Sequence, residues 1–600
     1  MKKKNFFLLG AIIPLLSGCV FSNQSANESD GKSANGESVG LSSGDLEPDS
    51  SENGNSGYEQ SGAITISLVD GASITSNSTN VTIDNQTNII TIKAVGVYVL
   101  SGKLTNGQIL IDAYRTASVD TVELQLNGVN ISCSFGAPIF SKQNSGTYKD
   151  PKLKIKKVEL STSVINDNRS SSLVSSWTGE DTAAIFANSD LSIVGTGKLT
   201  INSSFNNGAG TDDELKIKNG ELTIMTMNNG LKAHDGIYFG TSGGADAPSV
   251  GITSLNGNAI RQDTAATGDG IYVYSGSIII VSKYDGFDAE QDVVINGGTI
   301  QLIAGGGSTV KTDTNKTTIP ESMKGIKALG NITISNATIT VSSHDDAIHS
   351  GASIAIASGT LSLMSDDDGI HAENTFTLTN GNITITQSYE GIEAPTININ
   401  GGNSNIRSRD DGWNAAMNST GIINLSGGYH YLNTVGDGID SNGNIIITGG
   451  TVVCEGPTAN NNGPLDCGDN GNYIQQDGGM IFAIGSSGMA VGATRGTQYS
   501  ILTKGTNCNL GDYYIIESND GTPLFSVKTT QACQSVYFSA PNMVAGTYKL
   551  VKGQITNGVE VMTQLYSGGT ASSVTSLCSW TWSTSNVHAT YGSSSGPGGH

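Results

Sequence analysis

Short stretches of alternating apolar and polar residues recur along most of the chain, and many are joined in pairs by a tight turn. Three of these pairs read NITISNATITVSS from Asn331, TFTLTNGNITITQ from Thr375 and NIIITGGTVV from Asn444. An apolar residue at every second position is typical of a strand with one buried face, and Asn-Gly or Gly-Gly turns are typical of tight connections between strands. The pattern predicts an all-β protein built from many short strands.

The strand pairs repeat with a period close to 22 residues. A small residue before a large apolar one marks each unit, and the intervals between the last six marks are 22, 22, 22, 21 and 26 residues. A 39-residue interval returns to 22 when the polar stretch 305–321 is removed, and the 56-residue interval after Gly230 leaves room for a loop or for a further unit plus a loop. The marks are Ala184, Gly208, Gly230, Gly286, Gly325, Ala347, Gly369, Gly391, Gly412 and Gly438.

A unit of this length cannot bury its apolar face alone, so the units must stack. This favours a right-handed parallel β-helix whose rungs lie about 4.8 Å apart, with equivalent positions forming columns. The expected inward columns are Ile326, Ile348, Ile370, Ile392, Trp413 and Ile439, and Ala328, Ser350, Ala372, Ala394, Ala415 and Ser441. The expected outward column is Lys327, His349, His371, Glu393, Asn414 and Asp440, and the residues before the marks are Lys324, Asp346, Asp368, Glu390, Asp411 and Asp437.

The composition agrees with this architecture and excludes other classes of protein. Glycine accounts for 78 of the 600 residues and proline for 12, which is unlike collagen or Pro-rich disorder. The 31 basic and 53 acidic residues give a net charge of −22, which argues against nucleic acid as a partner because phosphates would not be neutralised.

The first residues have the form of a bacterial export signal. A basic segment, 2–4, precedes the apolar stretch 6–16, which is too short to span a bilayer. The following LSGC motif, ending at Cys19, looks like a lipobox; this implies a signal peptide over 1–18, lipidation of Cys19 and no other membrane attachment, with an ordinary signal peptide as the alternative. Residues 20–62 hold eight acidic residues and one lysine, so 19–62 is expected to be a lipidated cysteine and a disordered linker. The remaining regions are expected to be an N-terminal β region over 63–175, the parallel β-helix over 176–476, a C-terminal β region over 477–568 and a Ser/Gly-rich tail over 569–600.

Acidic residues concentrate in one part of a chain that otherwise has little charge. Residues 321–450 contain thirteen Asp or Glu and four Lys or Arg, and most of the acids fall at one corner of successive rungs. Like charges one rung apart repel by about 3.5 kcal/mol at an effective dielectric near 20, so a folded column needs counter-cations. Carboxylate oxygens favour calcium, while the alternative is that Asp-Gly simply forms good turns. The candidate calcium ligands are Asp345, Asp346, Asp367, Asp368, Glu390, Glu393, Asp410, Asp411, Asp437 and Asp440.

Several aromatic and imidazole side chains lie near these acids and are candidates for contact with a glycan. They are His349, His371, Tyr389, Tyr429 and Tyr431. A transition-metal site is the less favoured interpretation of the histidine pair, since its neighbours are carboxylates. Trp413 is expected to be a core residue rather than a sugar-stacking platform. Among the six cysteines after Cys19, the local guesses for disulfides are Cys454–Cys467 and Cys508–Cys533, although about 15 pairings are open.

The runs KGIKALGNITI, DDAIHSGASIAI, DDDGIHAENTFTL, YEGIEAPTININGG and DDGWNAA resemble the bacterial secreted carbohydrate-binding β-helix family. That family is similar to the calcium-dependent pectate lyases of polysaccharide lyase family nine. The resemblance extends from about residue 63 to residue 551, and Ala347, Ser350 and Trp413 depart from its usual pattern. It implies a right-handed parallel β-helix, calcium at the stacked acids, and binding of a cellulose-like or pectin-like polysaccharide.

The function expected from these features is that of a monomeric cell-surface lipoprotein that binds polysaccharide. One alternative is a calcium-dependent pectate lyase, whose candidate bases are Lys327 and Arg409. A second alternative is an adhesin stiffened by calcium. No nucleophile, phosphate-binding or dinucleotide-binding motif points to another enzyme class.

Overall fold

The computed structural model describes residues 62–592, except for 71–72, 117–118, 144–148, 265–268, 312–313, 317 and 470. The expected signal peptide, the lipidated Cys19 and nearly all of the linker lie outside these residues. The described chain is all-β, with 55 strands and one short 3-10 helix at Ser171–Ser176. Among its helices, none is long and apolar enough to cross a membrane.

Most of the strands form three ladders, to which each rung contributes one strand in turn, and this makes the molecule a parallel β-helix. The first ladder contains Val81–Asp84, Ile89–Ile92, Gln108–Ile111, Ile139–Ser141, Ala183–Ala187, Asn207–Thr211, Leu231–Ala233, Ile260–Gln262, Phe287–Ala289, Ile326–Ala328, Ile348–Ser350, Ile370–Ala372, Ile392–Glu393, Trp413–Ala415, Ile439–Ser441 and Leu465–Cys467. All of its pairings are parallel except the first.

The other two ladders follow the same rungs. The second contains Lys152–Lys157, Leu191–Val194, Leu215–Ile217, Ile237–Phe239, Ile271–Val273, Val293–Ile295, Ile332–Ile334, Ser353–Ile356, Thr375–Leu378, Thr396–Ile399, Ile422–Leu425, Asn444–Ile447 and Ile474–Gln476. The third contains Thr162–Asp167, Lys198–Ser203, Glu221–Thr226, Ser249–Ser254, Ser277–Ser282, Thr299–Ala304, Thr338–Ser343, Thr360–Ser365, Asn382–Gln387, Asn403–Ser408, Tyr429–Thr434, Thr451–Glu455 and Met480–Gly485.

The strand register of the first ladder confirms the expected columns. His349 pairs with Lys327 on one side and with His371 on the other, all in the outward column. The isoleucines beside them are 0% or 1% exposed and form the core between the ladders. Trp413 is also 0% exposed, so it is a core residue, as expected.

The small residues that mark the period lie where neighbouring rungs approach closely. A Cβ atom at Gly369 would lie only 2.7 Å from the carbonyl oxygen of Gly391 on the next rung, which explains the preference for glycine. The register also places Ala259 at the equivalent position between Gly230 and Gly286. The long interval in the sequence is therefore a rung plus a loop.

Parallel stacking begins before the expected start of the β-helix at residue 176. Ile64–Leu68 pairs in parallel with Gly96–Leu104, which in turn pairs with Thr121–Cys133. The last of these strands is long enough to pair with the first strands of both the second and the third ladders. The sequence hides these rungs because connections such as 168–182 vary in length and break the period.

The strands after the β-helix are mainly antiparallel. Met480–Gly485 pairs with Cys533–Ser539, which also pairs with Ser500–Cys508. The expected tail 569–600 is wrong in its described part, because Thr570–Trp582 is a long strand whose alternate residues bury Trp580 and Trp582, and His588–Tyr591 pairs with Ser500–Cys508. A separate six-stranded antiparallel sheet consists of Val559–Met562, Leu565–Ser567, Pro523–Lys528, Tyr513–Ser518, Gly546–Thr556 and Thr570–Trp582.

All six cysteines among the described residues are free thiols, so the guessed disulfides are not formed. Cys454 lies on the third ladder and Cys467 on the first, and the Cys454 thiol donates a hydrogen bond to a backbone carbonyl oxygen at 3.4 Å. Cys508 and Cys533 face each other across an antiparallel pair. The Cys533 thiol instead points to a backbone carbonyl oxygen 3.6 Å away.

Candidate metal centre

At the turn from the third ladder into the first, side chains hydrogen-bond to the backbone of the next rung. Asn207 Oδ1 accepts a hydrogen bond from the Asn229 amide N–H at 3.1 Å, and Asn229 Oδ1 accepts one from the Asn258 N–H at 3.2 Å. Later in the chain, Asp346 Oδ1 accepts one from the Asp368 N–H at 3.0 Å. These stacked positions, here called the corner column, are Asn207, Asn229, Asn258, Asp285, Lys324, Asp346, Asp368, Glu390, Asp411 and Asp437.

The chemistry of the corner column changes from amide to carboxylate along the chain. Asp285 Oδ1 accepts the Lys324 N–H at 2.7 Å, and Asp411 Oδ1 accepts the Asp437 N–H at 2.6 Å. The asparagines at the start of the column make the same bond without a charge. Stacking therefore needs an oxygen acceptor at this position but not an anion, so it does not account for the negative charges.

Cations within the protein neutralise the beginning of the acidic region. Lys324 Nζ lies 2.7 Å from Asp345 Oδ1 and 2.6 Å from Asp346 Oδ2. His349 Nδ1 lies 2.8 Å from the same Asp346 oxygen. Burial alone would raise the pKa of Asp346, but His349 and Lys324 outweigh it and hold that pKa well below its ordinary value.

The insertion 305–321 brings a further cation to the acids. Lys316 Nζ lies 3.1 Å from Asp367 Oδ1. The insertion is held in place in part by Ser308, whose hydroxyl donates to Asp366 Oδ1 at 2.7 Å. Burial lowers the pKa of Lys316, but the neighbouring aspartates more than reverse this, so the ammonium form is favoured.

Acids further along the chain have no such compensation. Among the described residues, no Lys, Arg or His lies within ion-pair distance of Asp411, Asp437 or Asp440, and their charged neighbours are other carboxylates. Burial and these neighbours raise the pKa of Asp411 to about 9, of Asp437 to about 8 and of Asp440 to about 7. We call these three residues the distal triad.

The distal triad has the donor set of a site for a hard divalent cation. One ligand oxygen from each of its members lies within 4.8 Å of the others. Calcium takes about six to eight oxygen ligands with tolerant geometry, so three carboxylates fit part of its coordination sphere. A Cβ atom at Gly436 would collide with Oδ1 of both Asp410 and Asp411, so the glycine leaves room for these oxygens. A second group within the same distance limit is Asp345, Asp346 and Asp367.

The remaining expected ligands lie between these two groups. Glu390 is 9% exposed, and its Oε2 accepts a hydrogen bond from Asn414 Nδ2 at 2.6 Å. Burial and neighbouring carboxylates raise the pKa of Glu393 to about 7. Asp410 accepts the hydroxyl of Tyr389 and is the least central of the expected ligands.

Comparison with known proteins assigns the chain to a family. The model of the carbohydrate-binding domain-containing proteins matches residues 84–369 and 365–521, which is most of the chain. The chain belongs to this carbohydrate-binding domain family. A carbohydrate-binding domain-containing protein of Acetivibrio thermocellus is 34% identical over 129 residues, which are 22% of this chain and 42% of that protein. This chain thus spans less than half the length of that relative.

A solved structure is also similar to part of this family member. It is described as the polysaccharide lyase-like protein from C. thermocellum in a gadolinium derivative. The match covers 56% of this chain and 96% of the other, with 20% identity and a TM-score of 0.29.

The tyrosines expected to contact a glycan lie in different surroundings. Tyr429 is 53% exposed on the third ladder. Tyr389 is half-buried, with the charged groups of Lys316 and Arg409 each 5.4 Å from its ring centroid. Tyr431 is 4% exposed, and its hydroxyl donates to a buried carboxylate at 3.0 Å. The expected exposure is therefore wrong for Tyr431, because the C-terminal strands cover that part of the ladder.

The two candidate bases are both engaged by other groups. Lys327 Nζ lies 3.4 Å from Asp285 Oδ2 and 3.3 Å from Asp288 Oδ1. Arg409 is 6% exposed, and its guanidinium donates to two backbone carbonyl oxygens at 2.7 and 2.6 Å. One of those carbonyls belongs to Asn315, so Arg409 ties the insertion to the rungs beneath it.

Two features of the site are not among the residues expected from the sequence. Lys316 lies in the insertion, outside the period, so column reasoning does not reach it; its signal is only a lysine in a polar stretch beside acidic rungs. The amide part of the corner column was accessible from spacing, since Asn207 and Asn229 are 22 residues apart and each precedes a marking glycine.

Proposed function

We propose that the chain binds an acidic polysaccharide of the pectin or polygalacturonate type through calcium held at the distal triad, and that a lipid on Cys19 anchors it at the cell surface. The observation that carries this proposal is the change from amide to carboxylate in the corner column. Because an amide is sufficient for stacking, the carboxylates serve a ligand. The distal triad is where that ligand is most needed, since the protein supplies no counter-cation there.

A calcium ion at the distal triad would keep ligand positions for groups outside the protein. Three carboxylates supply at least three of the about six to eight oxygens that calcium takes. Uronate carboxylates are hard, charged oxygen donors that suit the open positions, whereas a neutral glycan of the cellulose type offers only hydroxyl groups. The adjacent outward column lies on a regular parallel ladder, a straight surface along which an extended glycan can lie.

Binding to insoluble, cross-linked polygalacturonate tests this function. We expect the chain to sediment with the polymer in calcium and to remain in solution in EDTA. Asp437→Asn keeps the acceptor oxygen for the next rung but removes a ligand charge, and it should weaken calcium-dependent binding at least tenfold. Asp292→Asn is the matched control, because Asp292 Oδ1 caps the Asn331 N–H at 2.6 Å outside the acidic region. Equal binding by Asp437→Asn and wild type would contradict the proposal.

The same mixture distinguishes binding from lyase activity. A lyase needs a neutral base beside calcium, but Lys327 and Arg409 are engaged and the ammonium form of Lys316 is favoured. We therefore expect no rise in the absorbance of unsaturated uronate products. Calcium-dependent stabilisation without any glycan binding would instead favour the adhesin alternative.

A further inference from the structure

The histidine-bearing part of the acidic region differs chemically from the distal triad. Imidazole nitrogens occur here beside carboxylate oxygens on three consecutive rungs, and the proposed calcium site does not use them. We propose that this part is a second metal site, which takes a transition-metal dication of the zinc or cobalt type. Its residues are Asp346, His349, Asp368, His371 and Glu393.

The donor atoms of this site converge on His371. The His349 and His371 rings stack one rung apart, with centroids 4.8 Å from each other. His371 Nδ1 lies 3.1 Å from Asp368 Oδ2 and 3.5 Å from Glu393 Oε2. One donor atom each from Asp368, His371 and Glu393 lies within 4.8 Å of the others, and the same holds for Asp346, His349 and His371.

Asp368, His371 and Glu393 form the centre of the site, and His349 is the nearest further nitrogen donor. Asp346 is a weaker ligand because Lys324 Nζ already lies 2.6 Å from its Oδ2. Two carboxylates and one or two imidazoles are a donor set typical of zinc and related dications.

A second observation independently supports a metal at His371. Its other ring nitrogen, Nε2, lies 3.5 Å from Oε1 of Glu373. Histidines that bind metals commonly donate their second N–H to a carboxylate, which fixes the orientation of the ring and makes the ligating nitrogen more basic. Glu373 lies in the turn after the first-ladder strand and belongs to neither metal group, so this contact is not explained by the stacking of acids.

The choice of metal follows from the donors. Calcium prefers oxygen ligands alone, as at the distal triad, whereas imidazole favours zinc, cobalt and similar ions. The two ends of one acidic region would therefore bind different metals, and each site can be removed without the other.

Cobalt(II) titration of the full, metal-stripped chain tests the site, because its visible absorption reports nitrogen ligation and geometry. We expect one equivalent to bind, zinc to displace it at equal concentration, and a hundredfold excess of calcium not to displace it. His371→Ala should weaken cobalt binding at least tenfold. Glu373→Gln alters an exposed side chain that does not ligate the metal, and should weaken binding about tenfold even if His371→Ala folds poorly.

Two controls distinguish cobalt at this site from cobalt bound to surface histidines or to the distal triad. His344→Ala removes a histidine that is paired with Asp366 at 2.9 Å, outside both metal groups, and should leave the cobalt spectrum unchanged. Asp437→Asn should also leave it unchanged, while His371→Ala should retain calcium-dependent glycan binding. The proposal is overturned if cobalt binds equally to wild type, His371→Ala and Glu373→Gln, or if calcium displaces it as readily as zinc does.

Discussion

The two oxygens of a corner-column aspartate have different tasks. In Asp346 and Asp368, Oδ1 accepts the N–H of the next rung, while Oδ2 faces a histidine. The first task is the one that asparagine performs at the start of the column, so only the second depends on charge. This separation allows an Asp→Asn substitution to remove a ligand charge while the stacking hydrogen bond remains.

The pH dependence of stability follows from the raised pKa values of the distal triad. The folded-state pKa is about 9 for Asp411 and about 8 for Asp437, against about 3.9 in the unfolded chain. The folded state therefore binds more protons between these values, and the free energy of unfolding falls as pH rises through this window. We expect the melting temperature in EDTA to fall between pH 5 and pH 9, and calcium to reduce that fall.

Thermal melts at a series of pH values, with calcium and with EDTA, measure this effect. The double variant Asp411→Asn/Asp437→Asn should flatten the EDTA curve, because it removes both titrating groups while the acceptor oxygens remain. A fall that is equally steep in the double variant would show that these residues are not its cause.

Lys316 competes with a metal for Asp367. Its ammonium group occupies Asp367 Oδ1 at 3.1 Å, although the lysine side chain is 53% exposed and the pair is screened by solvent. Lys316→Ala should therefore raise calcium affinity at the Asp345, Asp346 and Asp367 group by only about twofold to fivefold. Isothermal titration checks this against Lys311→Ala, which removes a lysine of the same insertion paired with Asp366. Equal affinities in the two variants would contradict the competition.

At the scale of the elements, sequence reasoning succeeded where the chain repeats and failed where it does not. A period of 22 residues is enough to place Lys327, His349 and His371 in one outward column, because parallel stacking preserves register. The early rungs escape this reasoning since their connections differ in length. The burial of Tyr431 escapes it as well, because the strands that cover it lie far along the chain and carry no repeat.

Deleting a complete rung should be tolerated better than deleting half of one. Removing 347–368 joins Asp346 to Gly369, which replaces Ala347 at the equivalent position and keeps all three ladders in register. Removing 347–357 instead joins strands of different ladders and moves apolar side chains off their columns. We expect soluble, cooperatively melting protein only from the complete deletion. Equal yields and equal melting temperatures for the two variants would contradict the solenoid.

Across the whole molecule, the corner column runs from amides to acids, while the outward column runs from Lys327 through two histidines to carboxylates. The ladders explain why these side chains share one surface, and the sequence predicted that surface through its spacing. It did not predict which acids are compensated, since that depends on Lys324, on the insertion carrying Lys316 and on burial. Charge compensation is a property of three-dimensional contacts between rungs and insertions, so a list of acidic positions identifies the region but not the strongest metal site.

Attachment to the membrane is expected to depend on Cys19 alone. The first strand begins at Ile64 and the buried core begins at Ile66, so the proposed linker has no part in the described core. Cys19→Ala should therefore release a folded, soluble protein from the membrane fraction, with the same melting temperature and glycan binding as the mature wild type. Cys467→Ala, which alters a cysteine within the β-helix, should remain in the membrane fraction. Fractionation followed by thermal melting checks both variants, and retention of Cys19→Ala in the membrane would contradict lipid anchoring at this residue.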